Sequence, residues 1–544
     1  MEYEYTDESI LKSAEKLLRE RGNITGEWSV RINPNLGNEE YSVARENQRL
    51  VISGGTASAV VYGVGRLIRE PEFRGHSAPD KSFRAIYFAT HFGNWYDNAP
   101  EDEIDRYIED LAIWGCNVIR AWFDRHHFRN IMDPVAQKKL KNLKHIFRKS
   151  ASLGMKNFLT NLANEAYAGS PEALRADWIG LKNGYKTPII GGHYHVELCP
   201  SKPGALDLLL HWHEELLDAL ADVPIHYIGM SCYDQGGCTC EKCAPYGANG
   251  YWKIIPRFSE LCKKKFPGCK VVLNTWRFDV FTDGEFDDLK ARKDLRKYVD
   301  LLSVDNGHAG KLKDLSVPIN KVGFSDISMG GNLPWGGYGV NPCPSFLETI
   351  RQEKSLAGNI AYSEGIYEDI NKIMLLGGEW DGSCSAWDMI RKYAAFYFGK
   401  GTEDRIVEAA RLMEENMEHS ADVSQDGRTY SAYSTQNVDP EKPWTMDYAV
   451  PKLDKERAKR CLELVQEVEK TMAVERKNTW RWRIFHLRAE IDLMLAEGKD
   501  PENAMQELTR IYDCRSNTRP CLLPPAHTTW NKIISERRAG EVGM

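Results

Sequence analysis

Short apolar stretches alternate with helical segments from residue 82 to about residue 399. Parallel strands need a long crossover between them, usually a helix, so this alternation predicts a parallel sheet, and eight repeats predict a closed barrel. The sequence therefore predicts an α/β fold built on a (β/α)8 TIM barrel. The eight candidate strands span residues 84–88, 118–122, 157–161, 227–231, 271–275, 301–304, 322–324 and 359–362.

The segments on either side of the predicted barrel differ from it in pattern. Before it come a helix at residues 7–21, two strand-like segments and a second apolar helix, which together predict a small α/β domain. After it, residues 419–450 are rich in Ser, Asp, Pro and Thr and predict a loop, whereas 455–495 predict two amphipathic helices. The predicted domains are an N-terminal α/β domain, a catalytic barrel and a helical C-terminal domain, at residues 1–78, 79–400 and 401–544.

Composition excludes several classes of protein. Hydrophobic residues make up 42% of the 544 residues, enough for a sizeable core. The formal charge of −7 comes without clusters of basic residues, so no nucleic-acid partner is expected. No apolar run is long enough to span a bilayer, and the first residues lack the apolar segment of a signal peptide. Thirteen cysteines in such a chain predict reduced thiols and a cytoplasmic location.

Polar, charged and aromatic side chains follow the predicted strands. A TIM barrel keeps its active site at the C-terminal ends of its strands, so these residues are the candidates for chemistry. Three carboxyl groups are the predicted catalytic residues: Asp234 after strand four, Asp305 after strand six and Glu364 after strand eight. The predicted substrate-binding residues are Trp95, Arg120, Trp122, Asn161, Glu165, Trp276, Arg277, Asn306, His308 and Trp335.

A ring of this composition is typical of a glycosidase. Two carboxyl groups flank the glycosidic bond, amides and imidazoles bind hydroxyls, and indole faces stack on sugar rings. The sequence predicts an exo-acting glycoside hydrolase with a carbohydrate substrate, and Asp234 is the first choice for the acid. Two alternatives stay open: a carbohydrate-binding barrel without catalysis, and a hydrolase that uses a metal bound by histidines such as His193 and His195. A homo-oligomer is also left open.

Three arginines, Arg120, Arg125 and Arg277, follow predicted strands. A buried guanidinium needs a partner. Carboxylates of the protein could supply it, for example Glu364 paired with Arg120 or Arg277. An arginine left over would suit the carboxylate of a uronic acid. If all are paired, a neutral or N-acetylated hexose is expected, held by stacking.

The loop after strand four carries Cys238-x-Cys240-x-x-Cys243. Together with Cys199, or with Cys232, these residues could bind zinc in a tetrahedral site of four thiolates, which would be structural because no coordination position stays open. Free thiols and disulfides are the alternatives. The prediction is one structural zinc on Cys199, Cys238, Cys240 and Cys243, and no organic cofactor.

Several segments resemble known families. LVISGGT (residues 50–56) and VYGVGRLI (61–68) resemble the non-catalytic α/β domain that precedes the barrel in family 20 β-hexosaminidases and family 67 α-glucuronidases. LCPSKP (198–203), DQGGCTCEKC (234–243) and YSEGIYEDINK (362–372) resemble a poorly characterised group of glycosidase-like barrel proteins. The resemblance spans residues 40–400 and implies the barrel fold.

The resemblance also bears on the catalytic groups. In family 20 an Asp-Glu pair ends strand four, and the Glu is the proton donor. Here the pair is Asp234-Gln235, and because an amide cannot act as an acid, that mechanism does not transfer intact. Family 67 enzymes are inverting, with an acid on strand four and carboxylates on later strands. Asp234, Asp305 and Glu364 follow that order. The resemblance to α-glucuronidases favours a uronic acid as the sugar, and an N-acetylhexosamine is the other expectation.

Overall fold

The computed structural model describes most of the chain. The described residues are 5–90, 95–177, 182–186, 196–233, 237–305, 308–327, 341–363, 365–416, 418–420, 429–431, 434–438, 446–449, 453–501, 503–504 and 507–508. They fall into two compact units. The first unit contains Asn117–Ser325 and Lys354–Ile360, and the second contains Asp7–Cys116, Asp326–Glu353 and the chain from Ala361 onward.

A four-stranded sheet with two helices forms the N-terminal part of the second unit. The strands lie in the order β1-β3-β2-β4, with β1 parallel to β3 and the other pairs antiparallel. Ile10, Ala14, Leu17 and Leu18 recur at helical spacing and form the buried stripe of α1. The predicted N-terminal α/β layer is therefore present. Its elements are α1 Asp7–Arg21, β1 Trp28–Ile32, β2 Tyr41–Glu46, β3 Arg49–Gly54, α2 Ala57–Arg69 and β4 Gly75–Ser77.

Eight strands close into a barrel in the order β10-β11-β12-β5-β6-β7-β8-β9. Most are buried along their whole length, as expected for a parallel sheet with both faces covered. All eight predicted strands are confirmed, and so is the TIM barrel. The strands are β5 Phe83–Phe88, β6 Val118–Trp122, β7 Lys156–Leu162, β8 Tyr227–Ser231, β9 Lys270–Asn274, β10 Leu301–Asp305, β11 Asn320–Asp326 and β12 Gly358–Ser363.

Helices connect the barrel strands. In α4 the residues Ile104, Tyr107, Ile108 and Leu111 share the buried face, and acidic residues in the first turn favour its N-terminus. The helices of this region are α3 Trp95–Asn98, α4 Glu101–Ile113, α5 Pro134–Ser152, α6 Ala205–Ala219, α7 Gly250–Lys265, α8 Glu285–Ala291, α9 Leu295–Tyr298, α10 Pro344–Arg351, α11 Asp369–Trp380 and α12 Ala386–Tyr393.

The C-terminal region is helical, as predicted, but it also contains short strands. The expectation of a loop over residues 419–450 is wrong where these strands pair as β13–β14 and β15–β16. Thr429, Tyr430 and Val438 are β-branched or aromatic, a local preference that the polar composition obscured. The elements are α13 Glu403–Glu415, β13 Glu418–Ser420, β14 Thr429–Ser431, β15 Ser434–Val438, β16 Met446–Ala449, α14 Lys455–Thr471, α15 Val474–Lys477 and α16 Trp480–Ala496.

Arg481 joins α16 to the rest of the second unit. Its Nε donates a hydrogen bond of 2.6 Å to Asp369 on α11, and its Nη2 donates one of 2.9 Å to Asp110 on α4. The domain boundaries predicted at residues 78 and 400 remain predictions. Among the described residues, no helix combines the length and the apolar character that crossing a membrane requires.

Candidate active site

Four of the predicted site residues lie outside the described residues: Asp234, Glu364, Asn306 and Trp335. Their roles remain predictions from the sequence. The other predicted residues are described, and most of them belong to the first unit, where they lie within or directly after β6, β7, β9 and β10.

Asp305 is the last residue of β10, and its side chain is only 3% exposed. Its Oδ2 accepts a hydrogen bond of 3.2 Å from the backbone N–H of Arg277 and lies 3.8 Å from Nδ1 of His308. Within the described part of the chain, Oδ1 has no hydrogen-bond partner. Burial raises the pKa of Asp305 to about 7, so this carboxyl group is protonated much of the time near neutral pH.

His308 follows Asp305 and is also buried. Burial lowers the pKa of His308 to about 4, so its imidazole is neutral at neutral pH. A neutral imidazole can donate a hydrogen bond from one nitrogen and accept one at the other. That suits the hydroxyl of a sugar, which donates and accepts as well.

The turn after β9 carries Trp276 and Arg277. The backbone N–H of Trp276 donates a hydrogen bond of 2.8 Å to Oδ1 of Asn274, which fixes the start of the turn. The guanidinium of Arg277 lies over the rings of Trp276 and Phe281, 5.1 Å and 5.9 Å from their centroids. It has no carboxylate partner within hydrogen-bond or ion-pair distance in the part of the chain that the structure describes. The aromatic faces therefore hold a guanidinium whose donors remain available.

A second buried carboxyl group, Glu165, follows β7. Its Oε1 lies 2.7 Å from Nδ1 of His126 and accepts the backbone N–H of the same residue at 3.2 Å. Its Oε2 accepts a hydrogen bond of 3.3 Å from Nε1 of Trp122. Burial raises the pKa of Glu165 to about 8. The structure thus brings together Trp122 and Glu165, both predicted to bind substrate, and adds His126.

The arginines have different environments. Arg120 points into the barrel, where its Nε donates a hydrogen bond of 2.6 Å to Thr160 and its guanidinium lies 4.7 Å from the ring centroid of Phe158. Arg125 donates hydrogen bonds to His213 at 2.9 Å and to Asn161 at 3.4 Å. Arg120 and Asn161 are each 2% exposed. Of the three arginines, Arg277 is the one with the most open surroundings.

Trp95, predicted to stack on a sugar, lies in the second unit and is 0% exposed. Its ring meets Tyr96 and Tyr107 edge to face, with centroids 5.6 Å and 5.2 Å away. These tyrosines belong to a buried network in which Lys372 donates hydrogen bonds to both hydroxyl groups. The structure therefore places Trp95 within a packed aromatic cluster, and the stacking role stays a prediction.

The predicted zinc ligands Cys199, Cys238, Cys240 and Cys243 come together. Their sulfur atoms all lie within 4.8 Å of one another. The sulfur of Cys199 is 3.7 Å from that of Cys240 and 3.8 Å from that of Cys243. Hydrogen bonds from Cys238 and Cys243 lower the pKa of Cys199, so a thiolate is favoured there. The described cysteines form no disulfides.

Asn164 joins the two segments that carry these cysteines. Its Oδ1 accepts a hydrogen bond of 2.9 Å from the N–H of Gly237, and its Nδ2 donates one of 2.8 Å to the carbonyl of Leu198. The N–H of Asp177 donates a hydrogen bond of 3.4 Å to the sulfur of Cys238. Asn164 is fully buried. The four thiols are therefore held by a scaffold that begins at the end of β7.

Among the buried polar groups that the sequence did not predict are His213 on α6 and Glu285 on α8. His213 lies on the apolar face of its helix, where the sequence favours a core residue. Glu285 begins its helix, and an acidic residue at that position usually interacts with the helix dipole. Neither pattern differs from that of an ordinary structural residue, so only the folded chain reveals their partners.

Comparison with known proteins supports the fold. No protein-family model matches the chain, and no curated protein matches its sequence. A family 89 glycoside hydrolase from Clostridium perfringens, solved with its substrate GlcNAc-alpha-1,4-galactose, matches with a TM-score of 0.60 and 12% identity over 90% of this chain. That match covers 61% of the Clostridium protein, so this chain spans less than two thirds of its length.

Two other solved structures show the same likeness. A family GH115 4-O-methyl-alpha-glucuronidase with specificity for decorated arabinogalactans matches with a TM-score of 0.62 and 11% identity, over 97% of this chain and 78% of the other. A GH138 enzyme targeting pectin rhamnogalacturonan II matches with a TM-score of 0.58 and 12% identity, over 97% of this chain and 72% of the other. The predicted resemblance to glycosidase-like barrel proteins is therefore confirmed at the level of the fold.

Glu165 should make stability depend on pH. Its folded-state pKa of about 8 lies above the ordinary value of 4.5 for a Glu carboxyl group, so the folded chain holds this proton more tightly than the unfolded chain. The resulting stability is present at low pH and is lost as pH rises through about 8. Between pH 5 and pH 9 the Glu165→Gln variant, which stays neutral, should lose less unfolding free energy than the wild type, by on the order of 4 kcal/mol.

Urea denaturation at both pH values measures this difference. Glu172→Gln is the control, because Glu172 is exposed and lies in the same connection. It should follow the wild type at both pH values. An equal loss of stability in Glu165→Gln and the wild type would contradict the assignment.

Proposed function

We propose that the protein is an exo-acting glycoside hydrolase with Asp305 as its general acid. The observation that carries the proposal is the environment of Asp305: a buried carboxyl group at the end of a barrel strand, with a pKa of about 7 and one oxygen that has no hydrogen-bond partner among the described residues. A general acid works best when its pKa lies near the working pH. The three structural neighbours named above are glycoside hydrolases, which supports the same reaction.

The residues around Asp305 supply the other requirements of the reaction. The protonated carboxyl group donates its proton to the glycosidic oxygen as the bond to the sugar breaks. The N–H of Arg277 then stabilises the carboxylate that remains, since it already donates to Oδ2. Trp276 offers an indole face for stacking, and neutral His308 can bind a hydroxyl group. Asp234, which follows β8 in the sequence, is proposed as the second carboxyl group. Its carboxylate either attacks the anomeric carbon itself, with water releasing the sugar afterwards, or activates the water that attacks that carbon.

Replacement of Asp305 should lower the rate of catalysis without preventing folding. Asp305→Asn should lower kcat by a factor of about 10² or more. Wild-type kcat should fall as pH rises through about 7, because the acid must be protonated, and the variant should lose that dependence. The decrease in kcat caused by Asp305→Asn should be larger on an alkyl glycoside than on a nitrophenyl glycoside, because the nitrophenol leaving group needs little protonation.

A panel of nitrophenyl and methyl glycosides of both anomers tests the proposal. Asp234→Asn and Glu364→Gln test the other predicted carboxyl groups on the same panel. Asp300→Asn is the control, because Asp300 precedes β10 and accepts a hydrogen bond from the N–H of Val271, at the opposite end of the strand from Asp305. Binding of sugars without turnover would instead support a carbohydrate-binding barrel. An unchanged kcat in Asp305→Asn would exclude it as the acid.

We further propose that the sugar is a uronic acid, recognised by Arg277. The planar guanidinium fits a carboxylate through two parallel hydrogen bonds. Aromatic rings already fix its plane, and no described carboxylate pairs with it. An N-acetylhexosamine, the other sugar that the sequence favours, would leave this charge unpaired in the complex.

Matched glucuronide and glucoside substrates should therefore differ. We expect kcat/KM to favour the glucuronide by about 10² or more, because the neutral analogue leaves the guanidinium unpaired. Arg277→Ala should abolish most of this preference by raising KM for the glucuronide. Arg277→Lys should restore only part of it, since a lysine cannot form the two parallel bonds. Equal kcat/KM values for both substrates would show that Arg277 is structural.

We propose that the four cysteines hold one structural zinc ion. A tetrahedral site with Zn–S distances of about 2.3 Å places its sulfur atoms about 3.8 Å apart. The distances from Cys199 to Cys240 and Cys243, 3.7 Å and 3.8 Å, agree with that value. Such an ion would stabilise the loop after β8. Thiols of this kind stay reduced in the cytoplasm, where we place the protein.

Purified protein should contain about one zinc ion per chain, as measured by elemental analysis. Cys240→Ser should lower the zinc content and the midpoint of thermal unfolding, with a smaller effect on kcat per folded molecule. Cys262→Ser is the control, because Cys262 is fully buried on α7 but lies outside the cluster. Protein prepared without chelator that contains no metal would contradict this proposal.

A further inference from the structure

The turn that carries Arg277 has a strained backbone. Arg277 and Asp279 have φ angles of +60° and +62°, in the left-handed region that residues other than glycine rarely occupy. Such a conformation is unfavourable for a residue with a side chain and persists only where its surroundings hold it. The position of the Arg277 guanidinium therefore depends on whatever fixes this turn.

Glu285 fixes the far end of the turn. Its Oε2 accepts a hydrogen bond of 2.9 Å from the N–H of Asp279, and its own N–H donates one of 2.7 Å to Oδ1 of Asp279. The two residues therefore bind each other in both directions across the connection from β9 to α8. The near end is fixed by Asp305, which accepts the N–H of Arg277.

The other carboxylate oxygen of Glu285 reaches the loop after β8. Oε1 accepts a hydrogen bond of 2.7 Å from the N–H of Gly247 and another from the hydroxyl group of Tyr233. A Cβ at residue 247 would lie 2.8 Å from this oxygen, so the contact requires glycine there. This loop also contains Cys238, Cys240 and Cys243. One side chain thus joins the cysteine loop to the turn of Arg277.

The partners of Glu285 argue against a purely structural role. Asp279, Gly247 and Tyr233 all belong to loops at the C-terminal ends of β8 and β9, and none belongs to a barrel strand or helix. Burying a carboxylate is costly, and Glu285 is 0% exposed. An apolar residue would fill the same space at lower cost, but it could not accept hydrogen bonds from both loops.

We infer that Glu285 is a positioning residue that holds the Arg277–Asp279 turn in its strained conformation and thereby sets the preference for a carboxylated sugar. The inference rests on the proposed function, in which Arg277 binds the substrate carboxylate. Glu285 itself is buried behind the turn and acts through Arg277.

Three variants test the inference. Glu285→Ala removes all the acceptors, Glu285→Gln keeps one carbonyl oxygen, and Tyr233→Phe removes a single hydrogen bond with little risk to folding. Asn157→Ala is the matched control: Asn157 is 0% exposed and donates hydrogen bonds to Phe147 and Pro224 near the N-terminal end of β7. Zinc content and thermal unfolding are measured for each variant.

The first readout is kcat and KM on the matched glucuronide and glucoside. A small misplacement of a binding group is costly, so Glu285→Ala should raise KM for the glucuronide roughly 10-fold or more. The glucoside should change little. Glu285→Gln and Tyr233→Phe should fall between Glu285→Ala and the wild type, and Asn157→Ala should keep the wild-type preference.

The second readout does not depend on the reaction. In a crystal structure of Glu285→Ala, or of Glu285→Gln if the alanine variant does not fold, residues 277 and 279 should leave the left-handed region. Retention of both φ angles together with the glucuronide preference would overturn the inference. An equal loss of preference in Asn157→Ala would overturn it too, because general destabilisation would then be the cause. A wild type without any preference between the glucuronide and the glucoside would refute the proposed recognition of a uronic acid by Arg277. The φ angles of the variants would still decide whether Glu285 holds the turn.

Discussion

Burial of carboxyl groups at the C-terminal ends of the barrel strands is the constraint on which the site depends. Asp305 and Glu165 lie where water is excluded, and burial raises the pKa of each group to near or above neutral pH. Burial disfavours the charged carboxylate and so raises the pKa, and a raised pKa is what a general acid needs near neutral pH.

The loops after β8 and β9 are connected to this environment by hydrogen bonds. Asp305 holds the near end of the Arg277 turn, and Glu285 holds its far end. Glu285 also binds the loop of the cysteine cluster through Gly247. A proposed zinc ion would stiffen that loop, so one chain of contacts would connect the metal, the strained turn and the acid. Asp305 would then serve both processes, as the proposed acid and as the acceptor that holds the Arg277 turn.

Charge pairing also organises the second unit. Arg481 of α16 pairs with Asp369 and Asp110, which belong to α11 and α4. Both carboxylates and the guanidinium are almost completely buried. Removing one member of such a group leaves an uncompensated charge and is strongly destabilising. The C-terminal helix α16 is therefore bound to α4 and α11 by ion pairs as well as by apolar packing. Because these residues are far apart along the chain, local sequence patterns do not predict the ion pairs.

The sequence by itself determined the local features of this protein: eight apolar strands separated by helices, and three cysteines, Cys238, Cys240 and Cys243, close enough along the chain to suggest one cluster. These features are local, because burial on both faces of a strand requires an apolar run. The sequence also indicated that carboxyl groups follow the strands. It did not distinguish Asp305 from the others, because a pKa depends on burial by residues far away along the chain.

Only the tertiary structure decided which arginine remains open and what holds it. Arg120 lies within β6, and Arg125 and Arg277 follow strands. Thr160 and His213 accept hydrogen bonds from the first two, whereas the guanidinium of Arg277 lies against aromatic rings and pairs with no described carboxylate. In the sequence, Glu285 has the pattern of an ordinary first residue of a helix. Its partners Gly247 and Tyr233, in the loop after β8, are 38 and 52 residues away along the chain, and Asp279, in the turn after β9, is 6 residues away. Such contacts form only when the barrel closes and brings the ends of neighbouring strands together.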